Sequence, residues 1–488
     1  MKGESTGLDR RLNRVRWTAL FSVFVSAISA LSEELQSEKL SQIDRAVETA
    51  ISDGQIPGAV LWLESKGEVY HRAYGNRMVS PGAEKMTKDT IFDVASLTKV
   101  LATTPAILHL AEGGRLDIES PVSRYLPEFL EGGVREEPKD PEVTVEDRKT
   151  ITLKHLLTHQ SGLPPGIFLS EEDFWGHDEG ARRASMIGLT ERPGTRFRYS
   201  DINFILLGEI VARVSGQRLD EYVEANLLGP LGMSASGFLP TGLAQPRIAP
   251  TEELKGFGLL RGIVHDPTAR RMQGVAGHAG LFSTAQDIAI FLRVLMKGKP
   301  VSGNPILSHS TLQVATTNQL PESLEIARGL GWDIGSGFAY QRGEKFPTGG
   351  YGHTGWTGTS IWVDPASETF VILLANRNHP SESGRIRDLR IQVGTLAAEA
   401  VGYTQPSPLS EAAMVVPENG QVQTAAGEGG GVLNGVDVLE RNGFDVLKGL
   451  KIGLITNQTG ITRSRRSTID LLASAENVDL RALFSPEH

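Results

Sequence analysis

Apolar residues along this chain recur with two periods, and the switches between them mark its elements. At 40–51, Leu40, Ile43, Ala46, Val47, Ala50 and Ile51 fall on one side of a 3.6-residue spiral, which predicts an amphipathic helix. Residues 58–64 and 68–74 read as two strands joined at Lys66-Gly67, a hairpin signal. The apolar run after Ser96 predicts a helix to about Glu112, stopped by Gly113-Gly114. A short helix should follow the cap Thr152 and end in a Gly-Pro turn at Gly162 to Pro164. Residues 202–214 and 285–296 predict longer helices, the second capped by Thr284. Strands are expected at 360–363 and 369–374, separated by Asp364-Pro365, with a closing helix at 385–401. The charged stretch 131–149 reads as a surface loop without a site.

Two early strands, two late strands and helices at both ends predict an α+β domain. Its antiparallel sheet is completed by both ends, and its mostly helical middle third forms a second lobe across a cleft. Residues 403–431, rich in Pro, Ser, Ala, Gly and Gln with no apolar period, read as a linker. Beyond it, a helix at 432–444, a strand at 451–457, a helix at 467–473 and a strand at 479–484 predict a partial α/β segment with parallel strands.

Composition narrows the function. The 488 residues carry a net charge of -9, and no basic cluster lies beyond the N-terminal segment, which excludes a nucleic-acid partner. The count of 0 cysteines excludes disulfides, thiolate metal sites and a cysteine nucleophile. The 11 histidines show no metal-ligand spacing, so no metal and no cofactor are expected. Arg10, Arg11, Arg14 and Arg16 precede an uncharged run at 17–31 with small residues Ala27, Ser29, Ala30 and Ser32 around its end. That pattern predicts a secretory signal peptide over 1–32 and export to the periplasm or outside the cell. A span needs about 20 apolar residues, so no stable membrane span is expected after cleavage.

Candidate chemistry centres on Asp93-Val94-Ala95-Ser96-Leu97-Thr98-Lys99. Positions three apart share a helix face, so the Lys99 amine can reach the Ser96 hydroxyl and, when neutral, take its proton. Free N–H groups at a helix start suit a developing oxyanion. Ser-x-x-Lys alone reads as a helix cap followed by a solvated lysine, so the chemistry rests on what else the chain supplies. Tyr199 and Asp201 lie just before a helix, and His353-Thr354-Gly355 lies in a glycine-dense segment where a ligand or backbone approaches closely. His159 and His278 read as structural.

Ser96-Leu97-Thr98-Lys99, Tyr199-Ser200-Asp201 and His353-Thr354-Gly355, with LLTHQSGLP and GVAGHAGLFST, resemble the serine β-lactamase and penicillin-binding-protein superfamily. Their order is similar to its class C branch, which includes DD-carboxypeptidases and esterases, and the resemblance covers 36–402. It implies a β-lactamase/transpeptidase-like fold with Ser96 as acylated nucleophile. Lys99 and Tyr199 would share proton transfer, the tyrosine with a lowered pKa, and the N–H groups of Ser96 and Trp356 would form the oxyanion hole. Asp201, His353, Thr354 and Gly355 would bind substrate. The branch usually has Asn where Asp201 stands, which counts against acyl-amide recognition because an acid cannot donate as an amide does. It usually has Lys where His353 stands, so carboxylate binding should weaken and become pH-dependent.

The activity expected is that of an exported serine hydrolase acting through an acyl-enzyme on peptidoglycan-derived peptides. A carboxylesterase on small acyl or ester substrates, or a non-catalytic wall-binding module, are the alternatives. GVDVL, GLITNQTGI and ALFSPEH resemble the opening of the exo-β-N-acetylmuramidase family NamZ, and Glu487 matches that family's expected catalytic acid. Because the sequence stops at His488 inside this motif, 432–488 is expected to be a truncated domain without glycosidase activity.

Overall fold

The computed structural model describes residues 35–167, 174–297 and 306–407, and further on 444, 447–448, 451–455, 468–475 and 478–484. The expected signal segment, nearly all of the expected linker and of the helix at 432–444, and Glu487 lie outside the described residues. The chain divides into two compact units, Met1–Val422 and Gln423–His488.

In the first unit, Gly58–Ser65 (β1) and Glu68–Met78 (β2) form the expected hairpin. With Glu84–Lys85 (β3), Ala327–Arg328 (β4), Asp333–Gly335 (β5), Tyr351–Thr354 (β6), Ser360–Asp364 (β7) and Thr369–Ala375 (β8) they build an 8-stranded sheet. The strand order is β3-β2-β1-β8-β7-β6-β5-β4, with antiparallel neighbours throughout. β1 and β8 are buried at every position because both faces of the sheet are covered.

The two-residue period of a strand deals alternate side chains to different cores. Val60, Trp62, Ile361, Ile372 and Leu374 join the helical lobe, whereas Leu61, Leu63, Trp362 and Leu373 meet the terminal helices. Those are Ser37–Ser52 (α1) and, at the other end, Arg387–Ala400 (α5). α1 buries Ile43, Ala46, Val47 and Ala50, the stripe its periodicity predicts. In the lobe, Thr104–Glu112 (α2), Asp201–Ser215 (α3) and Ala285–Lys297 (α4) carry much of the apolar interior. α3 packs tightly on the 274–280 loop, since a Cβ on Gly277 would lie 1.9 Å from Phe204 O.

Two local expectations fail. The segment through Ser96 does not open as an α-helix: Ala95–Leu97 is a 3₁₀ turn and Lys99–Thr103 a π-helical turn, with α geometry only from Thr104. Pro105 has no N–H, so the Leu101 carbonyl loses its α-helical donor, and Thr104 N bonds back five residues to Lys99 O. The charged stretch 131–149 is not wholly surface loop. Its Arg148 is fully buried, stacks 4.1 Å from the Phe129 ring centroid, and donates to Phe129 O at 2.7 Å and Ile187 O at 2.8 Å.

In the second unit, Lys451–Ile455 (β9) and Asp479–Phe484 (β10) pair in parallel, with Thr468–Ser474 (α6) between them in sequence, as expected. Phe444, Leu471 and Leu472 form its buried cluster. No helix among the described residues is long and apolar enough to cross a membrane.

Candidate active site

Ser96 follows Ala95, whose φ of +48° is left-handed and costly for a residue with a Cβ. Asp93 holds that turn: its Oδ1 accepts from Ala95 N at 2.9 Å and its Oδ2 from His265 N at 2.7 Å. Asp93 is 2% exposed, and burial pushes its carboxyl pKa up despite these two donors. Thr98 donates from Oγ1 to Ala95 O at 2.7 Å and accepts from Leu281 N at 3.1 Å, which fixes the far side of the turn.

Lys99 is fully buried beneath Ser96. Its Nζ donates to Ser96 Oγ at 3.0 Å and to His278 O at 3.1 Å, and lies 2.8 Å from Asp201 Oδ1. Burial pulls the ammonium pKa down, but Asp201 and Tyr199 outweigh it and hold the amine above its ordinary value. The Tyr199 ring centroid lies 5.0 Å from Nζ, and the ring stacks on His159 at 4.4 Å. Burial raises the Tyr199 phenol; Lys99 opposes this and Asp201 adds to it, with a net upward shift. The lowered tyrosine pKa expected from the resemblance is therefore reversed. One ammonium cannot offset both the loss of water and the nearby Asp201 carboxylate.

β6 supplies His353 and Thr354, and Gly355 opens the turn to Trp356. His353 is 4% exposed, and its Nδ1 lies 2.8 Å from Thr354 O, an acceptor, so Nδ1 carries the proton of the neutral ring. Burial first, then Arg328 and Lys99, hold its pKa well below the ordinary value. This corrects the expectation of a partly protonated His353 with pH-dependent binding. The imidazole is neutral throughout the neutral range. A Cβ on Gly355 would lie 2.5 Å from Val94 O, so this turn is pressed against the segment that precedes Ser96. Thr357 and Thr359 complete the contact through Oγ1 bonds to Asp93 O at 2.7 Å and Val94 O at 3.0 Å.

A cavity of about 470 Å³ opens over these groups, lined among others by Ser96, Tyr199, Asp201, His353, Trp356 and Arg387. Thr354 and Gly355 also line it, whereas Lys99 sits below its floor. Thus every expected site residue of the first unit is brought to one place. His159 and His278 are both buried; His159 Nδ1 accepts from Ser200 N at 3.1 Å, and His278 Nε2 donates to Asp266 Oδ1 at 2.9 Å.

Asp93 and Asp266 were not singled out from the sequence. Asp93 stands three residues before Ser96, a proximity that could have flagged it; no pattern connects Asp266 to the site. Burial would raise the Asp266 pKa, but His278 outweighs it and keeps the carboxylate ionised. Asp201, Asp266 and His278 offer atoms within 4.8 Å of one another, a spacing a cation could use. The Lys99 ammonium beside Asp201 and the His278 N–H on Asp266 already compensate those carboxylates.

A cleft between an antiparallel sheet and a helical lobe, with a serine hydroxyl bonded to a buried lysine on its floor, defines a serine hydrolase. The chain belongs to the Beta-lactamase family, whose model matches residues 43–395. Residues 452–488 match the family described as exo-beta-N-acetylmuramidase NamZ, N-terminal. The chain is 32% identical over 382 residues to an N-acetylmuramyl-L-alanine amidase of Bacillus subtilis (strain 168), covering 72% of this chain and 84% of that one. It is 31% identical over 379 residues to a provisional D-alanyl-D-alanine carboxypeptidase of Escherichia coli (strain K12), covering 70% and 83%. Among solved structures, unliganded simvastatin synthase from Aspergillus terreus matches with a TM-score of 0.59 at 24% identity, covering 75% of this chain and 99% of that one. A class C beta-lactamase matches with a TM-score of 0.58 at 20% identity, covering 76% and 98%. These two likenesses concern the fold alone.

Proposed function

We propose that this protein hydrolyses an amide bond in peptidoglycan-derived peptides through an acyl-enzyme on Ser96, and that it acts outside the cytoplasm. The observation that carries the reading is the Lys99 Nζ–Ser96 Oγ bond of 3.0 Å at the floor of the cavity, with Tyr199 over the same ammonium. The substrate class draws support from the amidase and carboxypeptidase names of the relatives and from the muramidase-like segment in the same chain. The basic, apolar and small-residue pattern of 1–32 supports export.

In the resting site the proton is held by Lys99, and Tyr199 is a neutral phenol. Loss of one proton from this pair yields the base. As Ser96 Oγ attacks the carbonyl carbon, the Lys99–Tyr199 pair takes its proton, a service worth about 10²–10⁴ in rate. The N–H groups of Ser96 and Trp356 receive the oxyanion, each donor worth about 10²–10³. The carbon–nitrogen bond then breaks, the pair returns the proton to the leaving nitrogen, and the acyl group stays on Ser96. Water, deprotonated by the same pair, releases it as the acid.

Within amide substrates, the neutral His353 favours a bond with no free carboxylate beside it, because an uncharged imidazole forms no ion pair. The test offers N-acetylmuramyl-L-alanyl-D-isoglutamine, whose L-alanyl carboxyl is tied up in a peptide bond, a peptide ending in D-alanyl-D-alanine, and a nitrophenyl ester to the full chain and to Ser96→Ala. Release of L-alanyl-D-isoglutamine by the wild type alone supports the reading. Ester turnover without release from either amide moves the assignment to an esterase. Equal activity in Ser96→Ala overturns the nucleophile.

A further inference from the structure

The N–H of Trp356 belongs to the Gly355–Trp356 peptide, and the carbonyl on the opposite side of that peptide is gripped by a buried cation. Arg390 on α5 is 5% exposed, and its Nη2 donates to Gly355 O at 2.7 Å and to Thr359 O at 2.6 Å. Its Nη1 donates to Tyr340 Oη at 2.8 Å. Gly358 N adds a second donor to Gly355 O at 3.2 Å. In a planar trans peptide the C=O and N–H point in opposite directions, so a fixed carbonyl fixes the aim of the donor behind it.

The second expected donor, Ser96 N–H, shows what a purely geometric grip requires. Its peptide carbonyl, Ala95 O, is held by two neutral donors of Thr98, the hydroxyl at 2.7 Å and the backbone N–H. Neutral donors are enough for direction there, yet Gly355 O receives a full charge that is costly to bury. A charged donor on a carbonyl oxygen draws electron density through the amide resonance and leaves the N–H more positive, the cooperative strengthening of linked hydrogen bonds.

We propose that Arg390 is a positioning residue for the oxyanion: it aims the Trp356 N–H at the cleft and strengthens it as a donor through the Gly355–Trp356 peptide. Arg390 also lines the cavity, and the charge it places on Gly355 O reaches the tetrahedral intermediate through the peptide. The inference rests on the acyl-enzyme reading of Ser96 and is independent of which amide or ester is cleaved.

The test uses the full chain with Arg390→Lys and Arg390→Gln. It measures kcat and KM on a nitrophenyl ester and the affinity of an arylboronic acid, which forms a tetrahedral adduct on the serine. Thermal unfolding followed by circular dichroism reports on the fold. Expected is a fall of about 10-fold to 100-fold in kcat with a parallel loss of boronate affinity, less than removing a donor outright. KM should stay within about two-fold, and Lys should retain more activity than Gln because it keeps the charge. Unchanged kcat and boronate affinity in folded variants overturn the inference, as does a loss confined to KM, which would mark direct substrate contact. If only Arg390→Lys folds, the same readings on it decide. A wild type with neither ester turnover nor a boronate adduct removes the reading of Ser96, and this inference with it.

Discussion

Lys99 and His353 are both basic, both almost wholly buried and both at the same cleft, yet one is held charged and the other neutral. Burial lowers both pKa values. What differs is the company: Lys99 has the Asp201 carboxylate at 2.8 Å, whereas the charges that bear on His353 are Arg328, Lys99 and Arg390, all cations. One wall of the cleft thus stores a proton and the other refuses one. The charge state of a buried base here follows from its ordinary pKa, its depth and its neighbours together. Burial leads in neutralising His353, whereas Asp201 keeps Lys99 charged against burial.

Removing the charged member tests this contrast most severely. Lys99→Met should lower kcat by about 10²–10⁴, read as ester or amide turnover, because the neutral Tyr199 phenol alone is a poor acceptor for the Ser96 proton. Removing its partner comes next. Asp201 favours the protonated amine, so Asp201→Asn lowers the Lys99 pKa and raises the neutral fraction at any given pH. The ascending limb of kcat against pH should move to lower pH by about 1–3 units. A limb that stays in place would deny Asp201 its hold on the proton.

On the neutral wall, His353→Lys sets an ammonium where burial and the cations Arg328, Lys99 and Arg390 oppose a charge. Chemical denaturation should show a loss of about 1–3 kcal/mol, with a smaller loss for His353→Gln. The smallest effect expected is none at all. With the His353 pKa held well below its ordinary value, KM for a carboxylate-bearing peptide should be level between about pH 6.5 and 8. A titration in that window attributable to His353 would place a charge where burial excludes one.

Much of this was legible in the chain. The period-2 runs gave the hairpin and the late strands, and Ser96, Lys99, Tyr199, Asp201 and His353-Thr354-Gly355 stood out by type and order. What stayed hidden depends on partners remote in sequence. The left-handed Ala95 needs the Asp93 carboxylate and a loop near His265, and the widened turn after Lys99 answers to Pro105. Local spacing reports neither. Arg148 sits in a run whose composition reads as solvated surface, but its guanidinium is satisfied by carbonyls from two other segments. The downward shift at His353 comes first from burial and then from Arg328, a residue on a strand that the apolar pattern did not reveal.

The sheet also imposes a timetable. β1 lies between β2 and β8 in a register that pairs Ala59 with Ala375. During synthesis the N-terminal hairpin therefore emerges with its inner edge unpaired and waits for a partner about 300 residues behind it. At roughly 5–20 residues per second, that wait lasts on the order of 15–60 s. A buried apolar strand exposed for so long is a template for pairing with other nascent chains. Yield should depend on translation speed and chaperone supply well before it depends on the stability of the finished fold.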